Sequence, residues 1–217
     1  MDVELDLRKA VIGEEFDYPL LMSVLSEYAS PRAKVTGMLR KGLIVRVKKG
    51  LYAFGPDLSR RPLSSHVLAN LIYGPSCVSL QSALAHHNLI PERVAATTSV
   101  TPLRNKRFDT PAGRFTYRYL NPTRYSVGVD RQALADGTPY LIATPEKALA
   151  DWLVLQPGHP RLSGPGDLRA YLIENLRLDE EGLAGLEPMR LGDLARAYRS
   201  QRVHLLARLA GAAGAVS

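Results

Sequence analysis

The sequence predicts an α+β protein in two parts: a small helix-and-hairpin domain over residues 1–56, then a larger mixed α/β domain over residues 57–217 with a mainly antiparallel sheet and a helical C-terminal end. Three observations predict it. Residues 30–54 read as one helix followed at once by a basic β-hairpin. Gly55-Pro56 ends that pattern, and Ser59-Arg60-Arg61-Pro62 makes a basic linker. Beyond it, strands rich in β-branched residues give way to helix-period sequence after Gly158. With 217 residues, 46% hydrophobic and 23% charged, the chain has material for a substantial core.

Taken in order, residues 1–16 carry mixed charge around Ala10-Val11-Ile12 and fit either an arm or a short helix. Asp17 reads as a helix cap, and Leu20, Leu21, Val24, Leu25 and Tyr28 form an apolar stripe able to pack on Val35, Met38 and Leu39. In the next helix Ser30 is the expected cap, Pro31 the first-turn proline and Gly42 the stop. At 100° per residue its outward side carries Arg32, Ala33, Thr36, Gly37, Arg40 and Lys41, cationic at the edges and small in the middle. Gly37 costs about 1 kcal/mol against Ala inside a helix, and close approach to a groove floor would offset that. A solvated helix with a tolerated glycine is the plainer reading. The segment 43–54 alternates, turns at Lys48-Lys49-Gly50 and returns. A basic helix followed by a basic-tipped hairpin is the winged helix-turn-helix order, with the helix directed to the major groove and the tip to phosphate or minor groove. The expected contacts to double-stranded DNA are Arg32, Lys34, Thr36, Arg40 and Lys41 on the helix, and Arg46, Lys48 and Lys49 on the hairpin.

Charge placement supports this. Residues 30–62 hold nine basic side chains against Asp57, net +8, while the rest of the chain holds 19 basic and 20 acidic residues. Such concentration fits a polyanion and predicts salt-dependent binding. A membrane surface is disfavoured, because no long amphipathic helix with an aromatic face accompanies the cluster. Cys77 is the only cysteine, which excludes an internal disulfide and reads as a small buried apolar group. The start resembles no signal peptide and no 18-residue apolar run occurs, so the expected location is the cytoplasm.

In the second part, Leu63, Val67, Leu68, Leu71 and Ile72 predict a helix ending at Gly74-Pro75, and Ser79 caps a shorter one reaching about Asn88. Residues 94–101 predict a strand; 106–110 and 114–120 predict a hairpin with Phe115, Tyr117 and Tyr119 on its core face and Arg114, Thr116 and Arg118 opposite. A strand over 140–143 precedes Thr144-Pro145, which opens a helix through Leu155. Helices follow over about 166–175, 180–186 and 191–210, with 211–217 fraying.

The chemistry-bearing residues do not assemble into an enzyme. His86-His87 lie about 100° apart on a helix, unlike a chelating i, i+4 pair, and His66, His159 and His204 stand apart in sequence. Ser79 and Ser82 lie outside any G-x-S-x-G elbow, and no glycine-rich phosphate loop occurs. Asp136 with Glu146-Lys147 departs from the spacing of a metal-dependent nuclease, since adjacent residues in a helix's first turn diverge; Glu146 fits there as a partner of the helix dipole. No cofactor or metal is expected.

Several stretches together resemble the AbiEi-type antitoxins, the transcriptional regulators of abortive-infection (type IV) toxin–antitoxin operons: Val47-Lys48-Lys49-Gly50-Leu51-Tyr52, Ser82-Ala83-Leu84, the residues Thr110, Gly113, Phe115 and Tyr117, and, most specific, residues 142–151, IATPEKALAD. The resemblance reaches to about Leu155. It departs at the N-terminus, where two clear helices precede the hairpin and the family usually has three. It implies an N-terminal domain that binds inverted repeats in its own promoter and represses it. It also implies a C-terminal domain that counters a separately encoded nucleotidyltransferase-like toxin without a stable complex. A second basic patch over 93–124 (Arg93, Arg104, Lys106, Arg107, Arg114, Arg118, Arg124) faces Asp109 alone, net +6. Within it Arg104, Lys106, Arg107, Arg114 and Arg118 are the expected antitoxin surface; a solvated face and an extra DNA-backbone contact are the alternatives. Two other functions remain open: a regulator whose C-terminal domain senses a small ligand, which requires a deep apolar pocket with converging polar groups, and a DNA-processing enzyme, which requires clustered carboxylates.

Overall fold

The computed structural model describes residues 3–91, 94–158 and 160–214, so Arg93 and His159 lie outside the described residues. Within the stretch left open between an arm and a short helix stands a helix, α1 (Val3–Ala10), whose Leu7 is fully buried. What fixes it is Arg8, a charge that the apolar pattern conceals. Its guanidinium pairs with Glu14 at 2.9 Å, donates to Gly13 O at 2.6 Å and lies 4.0 Å from the Phe54 ring centroid. Strand β1 (Glu15–Asp17) follows, and Asp17 caps α2 (Tyr18–Val24) by accepting from Leu20 N at 2.8 Å. That helix ends four residues before the expected Tyr28. Helix α3 (Pro31–Arg40), β2 (Ile44–Lys48) and β3 (Leu51–Phe54) match the sequence reading, except that Ser30 makes no side-chain cap bond.

The first sheet has the order β1-β3-β2, antiparallel throughout, with Phe16 opposite Tyr52 and Ile44 opposite Phe54. That face packs beneath the helices in one apolar cluster with Leu7, Leu21, Val35 and Met38. The other face carries Val47, Leu51 and Ala53 into the second, larger cluster, so one thin sheet serves two cores. Gly42, at φ +72°, ends α3, and Gly55 meets it so closely that a Cβ on Gly55 would stand 1.7 Å from Gly42 O.

The second part begins with α4 (Ser65–Ile72), capped by Ser64. Strand β4 (Cys77–Val78), α5 (Leu80–His86), β5 (Thr97–Thr101), β6 (Lys106–Thr110), β7 (Gly113–Tyr119), α6 (Pro122–Tyr125), β8 (Val129–Ala133) and β9 (Pro139–Ala143) then build a six-stranded sheet in the order β6-β7-β5-β4-β9-β8. The sheet is mixed: β5 with β7 and β4 with β9 are parallel, and the remaining pairs are antiparallel. Helices α7 (Pro145–Leu155), α8 (Pro165–Leu176), α9 (Glu180–Ala184), α10 (Pro188–Tyr198) and α11 (Gln201–Gly214) complete the chain. The single helix expected over 191–210 is two, because Arg199 adopts a left-handed φ of +48°. Helix α11 also continues to Gly214 through part of the expected frayed tail; residues 215–217 lie outside the described residues.

The motif at 142–151 folds as a cap and a buried polar cluster. Thr144 Oγ1 accepts from Lys147 N at 3.3 Å, with Pro145 in the first turn. Lys147 and Asp151, one turn apart, are both fully buried. Lys147 Nζ donates to Tyr198 OH at 2.9 Å and to Arg124 O at 3.0 Å, and pairs with Asp151 at 3.5 Å. Ser79, expected to cap α5, instead donates its hydroxyl to Asp151 at 2.6 Å. Glu146, expected to serve the dipole of its own helix, is buried and accepts from Glu187 N at 3.0 Å, so its charge sits at the start of α10. Among the described residues no helix is long and apolar enough to cross a membrane.

Candidate nucleic-acid interface

Helix α3 buries Val35 and Met38 and half-buries Leu39, which leaves Arg32, Lys34, Thr36, Arg40 and Lys41 exposed. The outward arc follows from the 3.6-residue period, since Ala33 and Arg40 stand opposite the buried stripe. The Thr36 hydroxyl donates back to Arg32 O at 3.1 Å, and Lys34 Nζ rests 5.0 Å from the Tyr28 ring centroid. Both side chains are thus held by local contacts. A Cβ on Gly37 would meet no described residue within 4 Å, so nothing among the described residues requires glycine there. The small residues leave a hollow of about 490 Å³ beside the helix, lined by Tyr28, Ala33, Gly37 and Lys41.

The hairpin divides its cations. Arg46 and Lys49 are exposed, whereas Lys48 departs from the expected phosphate contact. Its ammonium donates to Ile72 O at the C-terminal end of α4, and burial lowers its pKa. A β-bulge between Arg46 and Lys48 produces this, because the extra residue turns Lys48 toward the helix end. There it meets a free carbonyl and the negative pole of the helix.

The expected second patch is also divided. Arg107 lies opposite Thr116 and Asp109 opposite Arg114, all on one face of the sheet, while Lys106 lies opposite Tyr117 on the other face. On the first face Arg107 and Arg114 both hold Asp109, at 3.1 and 2.8 Å, and Arg118 donates to Leu155 O at 3.1 Å. The two guanidiniums keep the Asp109 carboxyl below its usual range. Three arginines that the sequence offers as free cations are therefore already engaged. Arg104 lies in a cleft with Tyr73, Leu103, Asn105 and Tyr119; Lys106, which register places on the face of Tyr117, also lines a hollow with Arg107, Thr116 and Arg118 at the strand's edge. Tyr119, expected in the core, is 47% exposed in the cleft.

His66 does not stand apart. The His66 and His86 ring centroids lie 5.1 Å apart, as do those of His86 and His87, and His87 Nε2 contacts Ala143 O at 2.8 Å. Among the described residues no group of three His, Cys, Asp or Glu side chains is placed to hold a metal ion. Burial, reinforced by the neighbouring imidazoles, pushes the His66 pKa down to about 4 from 6.5. A lowered folded-state pKa makes protonation favour the unfolded chain, so this contribution to stability is complete above the ordinary value and is lost as pH falls toward 4. The expected result is a melting temperature that drops over that window, with a shallower drop in His66→Phe, read by thermal melts in a pH series. Beside these rings opens a cavity of about 1060 Å³, lined by His66, Ser82, His86, Asn88, Ile173 and Leu178 among others.

No family model and no curated protein matches the sequence. Among solved structures the chain is similar to the crystal structure of the RV2827C protein from Mycobacterium tuberculosis, with a TM-score of 0.60 and 18% identity over 98% of this chain and 78% of that one. The likeness is one of fold.

Proposed function

We propose that the chain is a winged helix-turn-helix transcriptional autorepressor and antitoxin of the AbiEi type. Residues 1–56 contact inverted repeats in its own promoter, and residues 57–217 counter a nucleotidyltransferase-like toxin without chemistry of their own. The observation that carries the DNA reading is the exposed, unburied basic arc of α3 followed directly by a hairpin that presents Arg46 and Lys49. Helix α1 supplies a helix before α2 and α3, the element the sequence left undecided. The antitoxin reading rests on the resemblance, carried most specifically by residues 142–151, whose side chains here hold the core of the second part.

Gel shifts on the region upstream of the coding sequence, at several salt concentrations, test the DNA reading. Arg32→Ala and Arg40→Ala are each expected to weaken specific binding by about 1–3 kcal/mol where the side chain reads a base edge. Lys49→Ala is expected to weaken all sequences alike and lower the salt slope by about one. Lys48→Ala is expected to leave that slope unchanged, since its ammonium is already bound to Ile72 O. Wild-type binding retained in an Arg32/Arg40/Lys41/Lys49 alanine variant would overturn the assignment. Rescue of cells expressing the neighbouring gene product tests the antitoxin half, with Arg107→Glu, Arg114→Glu and Arg118→Glu together expected to abolish rescue.

A second reading has one observation in its favour. The cavity beside His66 combines apolar Leu89, Ile90 and Ile173 with Ser82 and Asn88, the lining a small-ligand sensor needs. Operator affinity that shifts with cell metabolites and ceases to do so in Ser82→Leu would favour it.

A further inference from the structure

Helix α4 is bonded from both sides. The hairpin reaches it through Lys48 Nζ on Ile72 O, and the six-stranded sheet reaches it through Tyr117 OH, which donates to Ala69 O at 2.7 Å. Val47, Leu51 and Ala53 of the hairpin share one apolar cluster with Val67, Leu68 and Ile72 of α4 and with Tyr117. Hairpin, helix and sheet edge therefore form one packed body, and the surface just past Ile72 borders the hairpin tip.

That surface is the cleft of Tyr73, Leu103, Arg104, Asn105 and Tyr119, about 650 Å³ in volume. It is built rather than loose: Asn105 Oδ1 accepts from Tyr119 N at 2.6 Å, and the Tyr73 ring packs against Phe108 and Tyr117 with centroids 6.0 and 5.2 Å away. Leu103 and Tyr119 remain 40% and 47% exposed on its walls. Arg104 and Lys106 are exposed and make no hydrogen bond or ion pair to another described residue, in contrast to Arg107, Arg114 and Arg118 on the opposite face.

We propose that this cleft, with Arg104 and Lys106, continues the DNA-contact surface from the hairpin onto the second part of the chain and takes the sugar–phosphate backbone of duplex flanking the site read by α3. This rests on the DNA-binding reading above. The chemistry matches the ligand: two free cations meet phosphates, while the apolar walls of Leu103 and Tyr119 meet deoxyribose. Register places Lys106 opposite Tyr117, on the face away from Asp109, with its strand edge bordering the hollow of Arg107 and Arg118, while Arg104 lines the cleft past Ile72.

The test uses the full-length protein and random-sequence duplexes of about 12 and 40 base pairs, with affinity followed against salt. On the longer duplex Arg104→Ala with Lys106→Ala is expected to weaken binding about 10-fold and to lower the salt slope by about two. On the shorter duplex, which reaches only α3 and the hairpin tip, the same variant is expected to match wild type, and Arg107→Ala with Arg114→Ala to match it on both. All these side chains are exposed, so unchanged thermal melts are expected throughout. An unchanged slope on the longer duplex, or equal losses on both lengths, overturns the flanking path while leaving DNA binding intact. Failure of the wild type to bind either duplex removes the DNA reading and this one with it.

Discussion

Asp151→Ala is expected to destabilise the protein by about 3–5 kcal/mol, because it leaves a buried ammonium without its counter-charge. Lys147 and Asp151 are both at 0% exposure, so no water compensates the loss. The carboxylate serves three donors at once: the Ser79 hydroxyl at 2.6 Å, the Lys147 ammonium at 3.5 Å and the Tyr198 phenol. Burial first, and the neighbouring Asp151 charge second, push the Tyr198 pKa well above the tyrosine range, which keeps the phenol a donor at any working pH. These residues come from the β4–α5 junction, α7 and α10, so the cluster joins the sheet to the C-terminal helices. Guanidinium unfolding gives the cost directly. Removing both charges together, as Lys147→Met with Asp151→Leu, is expected to recover part of the loss, since the penalty lies in the unpaired charge more than in the missing pair. A cost below about 1 kcal/mol for the single variant would show that the pair is not held in a dry interior.

A fragment beginning at Asp57 is expected to lose cooperative unfolding. The cut removes Val47, Leu51 and Ala53 from the larger core, where they are 3%, 5% and 0% exposed. Each Val or Leu side chain withdrawn from a core is worth about 1.5–3 kcal/mol, and the surfaces they covered on α4 become wet. The cut also strips Lys48 from the carbonyl end of α4 and Glu15 from Arg61, a contact of 3.5 Å. Together these losses approach the entire stability of a domain, about 5–15 kcal/mol. Differential scanning calorimetry and dye binding would read the outcome. A sharp transition near the wild-type temperature in the fragment would mean that the hairpin's second face contributes little.

The two cases differ in how far the sequence anticipates them. Residues 142–151 advertise their helix: Thr144 and Pro145 occupy the cap and first turn, and the periodic run sets the length, which the structure matches at Pro145–Leu155. Helix α3 and the two strands after it are equally legible, since a turn glycine and an apolar stripe sit within a few residues of what they specify. Elements with weak local signals escape notice. Strand β4 is only two residues long, and the break between α10 and α11 falls at Arg199, where neither Gly nor Pro marks it.

The sequence by itself therefore determined most of the longer helices, the hairpins at 43–54 and 106–120, the concentration of positive charge near α3, and most of the residues that face the core, because periodicity and capping act over one or two turns. Only the tertiary structure decided which charges are free. Lys48 spends its ammonium on a carbonyl 24 residues away, Lys147 on a phenol 51 residues away, and Arg61 on Asp136, 75 residues away. The same holds for the basic patch at 104–118, where strand register sets Arg107 and Arg114 on a face tied to Asp109 and Lys106 opposite Tyr117 on the other. A buried or bonded charge is a property of its partners, and partners this distant in the chain are brought together by topology, which no local pattern encodes.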